Sequence, residues 1–412
     1  MTAVTLALDP LLVGDIGWAE VLIVLLKAVV AFGLLLVAVI LMIWFERKVI
    51  ADLQNRVGPN KAGRWGILQT LADGLKLILK EDLVPDRADR RVFILAPFLS
   101  TVPAFVTFAV VPIGGGFDGD HAGTVRILGH DTYLQLADPP VGVLLVLAMS
   151  SIAVYGVLLA GWSSGSKYPL LGAVRGSAQM VSYEAALALA TVAVVLMAGS
   201  LSTHDIVLTQ SGGGYDLFGF IPVPRWNVLA TGVVPFVIFY IAATAELNRP
   251  PFDLVEAEQE LVGGYQTEYS SFRFALFYLA EFMSSVTMSA VVVTLFLGGP
   301  AGPSPVGPAW LWGIAWFFVK LMVFLFALVW IRATLPRFRY DQLMNLGWKA
   351  LIPLALGWLL LLAAINIGRD EGWNLGIVVG VGFAVLVVCW AALSAAVGVA
   401  QSRRRADDEV LL

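Results

Sequence analysis

Apolar segments long enough to cross a lipid bilayer restrict the fold of this 412-residue chain more than any other feature. A helix needs about 20 predominantly apolar residues to cross the hydrocarbon core. Charged residues make up only 14% of the chain, whereas soluble globular proteins have about 25%. We therefore predict an all-α fold, a polytopic membrane helical bundle of about nine transmembrane helices. Their expected positions are residues 19–45, 92–112, 140–161, 178–198, 227–246, 273–298, 309–331, 346–367 and 375–400.

The distribution of Lys and Arg predicts how this bundle lies in the membrane. Twenty-one of the 26 basic residues fall in connections on one side of the predicted spans, and three fall on the other side. Basic connections stay in the cytoplasm under the positive-inside rule. We therefore expect a multi-pass protein of a bacterial plasma (inner) membrane, with the N-terminus outside and the C-terminus cytoplasmic. The other two basic residues, Lys27 and Lys320, lie within spans, where either could pair with a buried carboxylate.

The connection between the fifth and sixth predicted spans is rich in carboxylates. Residues 249–269, RPPFDLVEAEQELVGGYQTEY, contain five Asp and Glu residues and no Lys or Arg after Arg249. The two prolines end the fifth helix, and we expect a new helix to start near them. Asp253, Glu256 and Glu260 would then share one face of that helix, whereas Glu258 would point elsewhere. Carboxylates on one face titrate as a coupled set, which indicates proton handling or a charge-coupled conformational change.

An alternative for this segment is that its acidic residues only complement the dipole of a helix N-terminus. That interpretation covers Asp253 and Glu256 but leaves Glu260, Glu268 and Glu281 without an explanation. Glu184 and Glu281 are predicted about six and about eight residues inside their spans. Because a charge within the membrane costs a few kcal/mol at least, neither is expected to face lipid. Each could be a carboxyl that only supports helix packing, but their number favours a proton path.

A second charged motif follows the first span. After the turn Gly58-Pro59-Asn60, apolar residues recur at helical spacing from Trp65 to Leu79, with Asp73 and Lys76 on the other face. This pattern predicts a cytoplasmic-side amphipathic helix that lies in the membrane interface. The helix could be a peripheral anchor, or it could form a wall of an opening for a lipophilic substrate that arrives sideways from the bilayer.

The residue counts exclude several kinds of site. The single cysteine, Cys389, excludes a disulfide framework and any cysteine-ligated iron–sulfur cluster built from this chain alone. The three histidines fall in predicted loops, which argues against a haem held between membrane helices, and we predict no metal site. The connection RATLPRFRYDQL mixes basic and aromatic residues; at a membrane face this favours lipid headgroups and a partner protein over nucleic acid.

Several long motifs occur in the order found in a known family. They are ERK, QNRVGPNKAG, LQTLADGLKLILKE, RGSAQMVSYE, NRPPFDLVEAEQELVGGYQTEYS and RATLPRFRYDQL with GWK. On these motifs, residues 15–367 resemble the H subunit of bacterial NADH:quinone oxidoreductase, respiratory complex I, the counterpart of mitochondrial subunit 1. We expect residues 1–370 to form this membrane domain and residues 371–412 to add a transmembrane helix and a cytoplasmic tail, as in actinobacterial members. Phe282 stands where the family has a tyrosine, which weakens a hydroxyl relay beside Glu281.

The resemblance also implies substrates, partners and site residues. Quinone, either ubiquinone or menaquinone, would be the substrate, with none bound covalently, while NADH, FMN and Fe–S clusters would belong to partner subunits. The partners would be peripheral-arm quinone-module subunits, small membrane subunits and lipids. The residues implied for the quinone entrance, the chamber and loop support are Glu46, Arg47, Arg56, Asp73, Lys76, Arg175 and Arg249. The proton-path carboxylates implied are Glu184, Glu246, Asp253, Glu256, Glu258, Glu260, Glu268 and Glu281.

Two other functions stay open from the residues. A free-standing proton-coupled transporter would place charges near the membrane midplane on discontinuous helices, whereas the carboxylates here cluster towards the cytoplasmic side. A homologous membrane subunit of a hydrogenase-type or other donor complex would share many loop motifs. The combination of the GPN and LVGGYQTEYS motifs favours complex I.

Overall fold

The structure is a computed structural model. It describes the chain except for residues 1–8, 13–16, 118–122, 213–214, 218–220, 224, 255–261, 305–306, 375, 386, 389–390, 392–393, 396–397 and 399–412. Its helices are α1 Trp18–Leu53, α2 Gln69–Leu79, α3 Arg90–Ala109, α4 Gly142–Ser163, α5 Lys167–Ala198, α6 Thr203–Ser211, α7 Asn227–Ala230, α8 Val233–Glu246, α9 Ser271–Phe296, α10 Ala309–Thr334, α11 Tyr340–Asn345, α12 Ile352–Asp370 and α13 Gly376–Val385.

Short elements connect these helices. Turns of 3-10 helix occur at Pro10–Leu12, Arg64–Gly66 and Gly264–Gln266, and a π-helical turn at Leu346–Leu351 joins α11 to α12. Two antiparallel hairpins complete the described structure. In the first, β1 Thr124–Ile127 pairs with β2 His130–Tyr133, with Thr124 opposite Tyr133. In the second, β3 Tyr215–Leu217 pairs with β4 Ile221–Val223.

The predicted all-α membrane bundle is confirmed. Among the described residues, seven helices are long and apolar enough to cross a membrane: α1, α3, α4, α5, α9, α10 and the continuous stretch Tyr340–Asp370. The fifth predicted span is not one continuous helix. The chain breaks between α7 and α8, where Gly232 has a φ of +80°, and the 14 residues of α8 extend only about 21 Å. The ninth predicted span is described as helix over Gly376–Val385, and much of the remainder lies outside the described residues.

Helix α5 begins earlier than its hydropathy predicts. It starts at Lys167, about eleven residues before the expected start of the fourth span. Glu184 therefore stands 17 residues beyond the helix start, not about six. The polar stretch that precedes it packs inside the protein, where Ser177 and Gln179 are buried. Hydropathy assumes that a spanning helix faces lipid, so it does not detect a helical segment whose polar side chains face other helices.

Helix α9 occupies the centre of the bundle. Every residue from Ser285 to Phe296 is buried, and α1, α3, α8 and α10 all contact this helix. A helix that is apolar on all sides is stable when it is enclosed by others. Glu281 lies on α9 one turn before this buried stretch, and its side chain is 23% exposed.

One of the two prolines in α3, Pro97, is accommodated by a side chain from another element. Pro97 has no N–H to donate to the carbonyl of Phe93, one helical turn earlier. The hydroxyl of Tyr269 donates to this carbonyl at 3.1 Å, and the rings of Phe93 and Tyr269 stack with centroids 4.0 Å apart. The end of the acidic segment 249–269 is therefore attached to α3 at a site that a proline creates.

The two lysines within spans have different partners. Lys27 Nζ lies 2.6 Å from Asp9 Oδ2 and 3.0 Å from Thr132 Oγ1, so its predicted pairing with a carboxylate is confirmed. Lys320 Nζ instead donates to the carbonyls of residues 297, 299 and 301, at 2.8, 2.9 and 2.8 Å. The prediction for Lys320 is wrong, because this ammonium satisfies carbonyls that follow the C-terminus of α9.

A buried carboxylate lies near the end of the bundle at which Lys27 is found. Asp138 is buried, and both of its carboxylate oxygens accept from Ser202 Oγ at 2.8 Å. Burial raises the pKa of Asp138 to about 6; the hydrogen bond from Ser202 opposes this change, and the negative charge of Asp205 adds to it. Nearby, His204 stacks on Tyr133 and lies on α6, not in a loop as expected.

Candidate functional site

Four charged side chains form a buried charge group, defined here as Glu46, Arg249, Glu281 and Arg332. Arg249 donates from Nη1 to Glu46 Oε2 at 2.8 Å and from Nε to Glu281 Oε1 at 2.9 Å. Arg332 donates to the other oxygen of Glu46. The side chains of Arg249 and Glu46 are only 4% and 5% exposed, whereas those of Glu281 and Arg332, at the edge of the group, are 23% and 35% exposed. The two positive and two negative charges balance, as buried charges require.

Phe282 supports this group. The guanidinium of Arg249 lies over the Phe282 ring, 4.3 Å from its centroid, which is a cation–π contact. Phe282 therefore positions the arginine that pairs with the neighbouring Glu281. Sequence reasoning treated Phe282 only as a departure from the family, and it did not assign Arg332 to the site. The signal available for Arg332 is that it ends a span on the same side as Glu46.

The start of the acidic segment is held by helix α5 and by the connection before α11. Gln179 donates to the carbonyls of Ala245 and Phe252 at 2.6 and 2.7 Å. Asp253 is buried and pairs with Arg337 at 3.2 Å. Residues 250–254 are not helical, so no helix starts at the two prolines themselves, and the rest of the helix expected near them lies outside the described residues. Glu256, Glu258 and Glu260 lie outside the described residues.

The end of the acidic segment packs closely against α5. A Cβ atom on Gly172 would lie 2.7 Å from the Cα of Gly264, so the two backbones touch at this point. Tyr265 and Tyr269 are buried, and Glu268 is partly buried. The segment is therefore fixed to the bundle on both sides of its undescribed residues.

Two internal cavities meet at Glu246, which is itself buried. The larger, of about 70 Å³, is also lined by Ser100, Asn248 and Glu281, and the smaller, of about 50 Å³, by Thr287. Ser100 Oγ, Glu246 Oε2, Asn248 Oδ1 and Thr287 Oγ1 are buried and have no hydrogen-bond partner among the described residues. Buried polar atoms are nearly always hydrogen-bonded, and cavities of this size and polarity accommodate water.

Glu184 lines neither cavity but stands one helical turn beyond Met180, which lines both. Its carboxylate accepts a hydrogen bond from Ser151 on α4, and the preceding residue, Ser150, lines the smaller cavity. Glu184 is partly buried and faces α4. Glu246 therefore lines both cavities and Glu281 lines the larger one, whereas Glu184 lies near them on α5.

A large apolar cavity, called the slot here, lies between α1, α2 and α9. Its volume is about 710 Å³. Helix α2 closes one side and is attached to both neighbours: Thr70 Oγ1 donates to the carbonyl of Ile40 on α1, and Ser271 Oγ, at the start of α9, donates to the carbonyls of Leu77 and Lys80. The predicted amphipathic helix is confirmed, although it begins at Gln69 and not at Trp65.

Charged residues line one part of the slot. Arg47 Nη1 lies 2.7 Å from Asp73 Oδ2, and Lys76 Nζ lies 3.6 Å from Asp73 Oδ1. Partial burial raises the pKa of Asp73, whereas hydrogen bonds from Arg47 and Gln69 lower it. The hydrogen bonds have the larger combined effect, so the pKa of Asp73 is lower than its ordinary value. This carboxylate is therefore negatively charged at neutral pH and holds α2 against α1.

Two predicted site residues lie outside these contacts. The guanidinium of Arg56 is exposed and donates to the side chain of Gln54 at 2.7 Å, a local contact. Arg175 is partly buried on α5, one turn before Gln179 and on the same face.

Known proteins resemble this chain over most of its length. A model of the family described as NADH dehydrogenase matches residues 26–363. A protein of Frankia casuarinae, named as the H subunit of NADH-quinone oxidoreductase, is 50% identical over 374 residues, which cover 88% of this chain and 78% of the relative. Proteins of the same name from Frankia alni and Cutibacterium acnes are 49% and 46% identical. They cover 94% and 89% of this chain, and each alignment covers 84% of the relative.

Proposed function

Because the chain belongs to the NADH dehydrogenase family, among relatives named as the H subunit of NADH-quinone oxidoreductase, we propose that it forms the quinone entrance and chamber of that complex and couples quinone reduction to proton translocation. It is a multi-pass membrane subunit and carries no electron-transfer group of its own. NADH, FMN and the Fe–S clusters belong to partner subunits, and peripheral-arm subunits complete the chamber. This chain's residues admit the quinone and move protons.

The slot supports the first half of this proposal. A quinone with a long apolar tail resides in the bilayer and needs a lateral opening to reach a protein-enclosed site. The slot is apolar and falls within the volume range of about 300–1,000 Å³ typical of ligand pockets. Arg47, Asp73 and Lys76 line it and offer polar contacts to the quinone headgroup. Arg56 and Arg175 contribute to the chamber further along.

The observation that carries the second half is the position of Glu246 between two cavities lined by residues with unpartnered polar atoms, one of which reaches Glu281 of the buried charge group. Water in these cavities satisfies the unpartnered atoms and connects the carboxylates by hydrogen bonds. Protons then pass between Glu281 and Glu246 through this water, and Glu184 extends the path from Glu246. Charged groups inside a membrane protein are costly, and they commonly form such relays.

The acidic segment couples the two halves. Its start carries Arg249 and Asp253, which pair with the buried charge group and with Arg337 respectively. A change of charge on the quinone alters the balance among these pairs and so the protonation of Glu281. Glu256, Glu258, Glu260 and Glu268 extend the set of proton-path carboxylates along the same segment.

The proposal includes the orientation of the subunit. The N-terminus lies outside a bacterial plasma membrane and the C-terminus in the cytoplasm, as the basic connections favour. Residues 371–412, beyond the domain shared with the family, add a transmembrane helix and a tail. The partners are the peripheral-arm quinone-module subunits, small membrane subunits and surrounding lipids.

An affinity tag on this chain tests the assignment. Native membranes are solubilised in mild detergent, and the purified material is assayed for inhibitor-sensitive NADH:quinone reductase activity. Activity that co-purifies with the tag supports the proposal. A lone chain without activity, from membranes that retain it, supports a free-standing transporter, and co-purified hydrogenase activity supports a hydrogenase-type complex.

A matched pair of variants tests the slot. Asp73→Asn removes the charge that holds Arg47, and we expect it to lower kcat/KM for a long-tailed quinone while NADH oxidation by a hydrophilic artificial acceptor is retained. Asp52→Asn changes an exposed carboxylate on α1 that does not line the slot and serves as the control. Equal quinone kinetics in the two variants would contradict a role for the slot in quinone access.

A further inference from the structure

The slot carries more positive charge than its own carboxylate can balance. Arg47, Lys76 and Lys80 line it, together with the single carboxylate of Asp73. Asp73 is shared between Arg47 and Lys76, at 2.7 and 3.6 Å. In the part of the chain that the structure describes, no carboxylate lies within ion-pairing distance of Lys80. A cation on the wall of an apolar cavity therefore remains available to an external anion.

The two lysines are placed for one ligand group. Lys76 lies in the last turn of α2 and Lys80 directly follows the helix, so both stand at its C-terminal end. Both line the slot, whose remaining surface includes Ile40, Leu71 and Phe272. Two ammonium groups beside an apolar cavity match an amphiphile with an anionic headgroup and a hydrocarbon chain. A neutral quinone has no charge that would require it.

We propose that the slot binds an anionic phospholipid of the surrounding leaflet, with its phosphate on Lys76 and Lys80 and an acyl chain between α1 and α9. The attraction between anionic headgroups and interfacial Lys residues supplies the selectivity, and the burial of the chain supplies affinity. Lipid binding does not depend on the proposed function. The consequence that lipid and quinone exclude each other from the slot does rest on the proposed function.

A photoreactive lipid tests the site in the intact complex. Phosphatidylglycerol with a diazirine in one acyl chain is added to the purified complex in nanodiscs of phosphatidylcholine, and labelled residues are mapped by mass spectrometry. A phosphatidylcholine probe with the same chain is the lipid control. Lys80→Gln removes the unpaired cation, whereas Lys61→Gln changes a basic residue of the preceding connection that does not line the slot.

The site predicts labelling of slot residues on α1 and α9 by the phosphatidylglycerol probe in preference to the phosphatidylcholine probe. Lys80→Gln should reduce that preference about fivefold, the change expected for one Lys beside an anionic headgroup, and Lys61→Gln should leave it unchanged. Equal labelling by both probes, or an unchanged preference in Lys80→Gln, would overturn the proposal. Because labelling requires no turnover, these outcomes are independent of whether quinone uses the slot.

Discussion

Arg249→Met is the substitution that tests the buried charge group most severely. It removes the cation between Glu46 and Glu281, while the unbranched Met side chain retains contact with Phe282. Glu46 keeps Arg332, but Arg249 is the cation that the described structure places on Glu281. Loss of one partner from a buried pair costs about 3–5 kcal/mol, because the other charge is left without compensation. We therefore expect a large loss of stability in this variant.

A second substitution identifies the cause. Glu281→Gln in the Arg249→Met background removes the uncompensated charge, so the double variant should be more stable than Arg249→Met alone. Arg47→Met is the matched control, since its pair with Asp73 has side chains that are 44% and 26% exposed. Exposed pairs of this kind contribute about 0.2–1 kcal/mol.

The assay follows the assembled complex after heating. A fluorescent tag on the chain reports the temperature at which half of the assembled peak is lost in size-exclusion chromatography. We expect the order wild type, Arg47→Met, double variant, Arg249→Met, from most to least stable. The reasoning fails if Arg249→Met is as stable as Arg47→Met, or if Glu281→Gln gives no recovery.

Three further predictions use other contacts. Gly172→Ala places a Cβ against the backbone of Gly264 and should cost about 1–3 kcal/mol, whereas Gly33→Ala, with no atom within 4 Å, should be neutral or stabilising in the same heating assay. Tyr269→Phe leaves the Phe93 carbonyl without a donor and should cost about 1–3 kcal/mol, a prediction contradicted if exposed Tyr155→Phe costs as much. The pKa of Asp138 is raised to about 6 in the folded protein, so its stabilising contribution is present at low pH and is lost as the pH rises through 6. Asp138→Asn should therefore reduce the change in stability between pH 4 and 6. If the variant loses stability over this range as the wild type does, another group causes the pH dependence.

Hydropathy and helical periodicity predicted the fold because they report on the contact between helices and lipid. They located the long membrane helices and α2. They did not locate helical turns that are surrounded by other helices and not by lipid. The early turns of α5 contain buried Ser177 and Gln179, which hydropathy scores as unfavourable to a span. They also treated residues 227–246 as one helix, because the residues on both sides of the break at Gly232 are mostly apolar.

The sequence predicted most of the residues that belong to the site, but it did not predict which of them contact each other. Glu46, Arg249 and Glu281 were selected from motifs, yet the contact between Glu46 and Arg249 joins residues 203 positions apart. Sequence periodicity carries no information on contacts between residues so far apart in the chain. Arg332 was therefore not assigned to the buried charge group, and Lys320 was expected to pair with a carboxylate and not with backbone carbonyls. The contact between Phe282 and Arg249 likewise depends on helix packing, which places the ring against the guanidinium.

Glu246→Gln in the reconstituted complex tests the central claim most directly, since it removes the proton-binding carboxylate at the junction of the two cavities and preserves its shape. Proteoliposomes would be assayed for NADH:quinone reductase activity and for proton uptake per NADH oxidised, after assembly has been verified. The account predicts an assembled complex in which quinone-linked activity and proton uptake both fall well below wild type. Wild-type values of both in the assembled variant would contradict it.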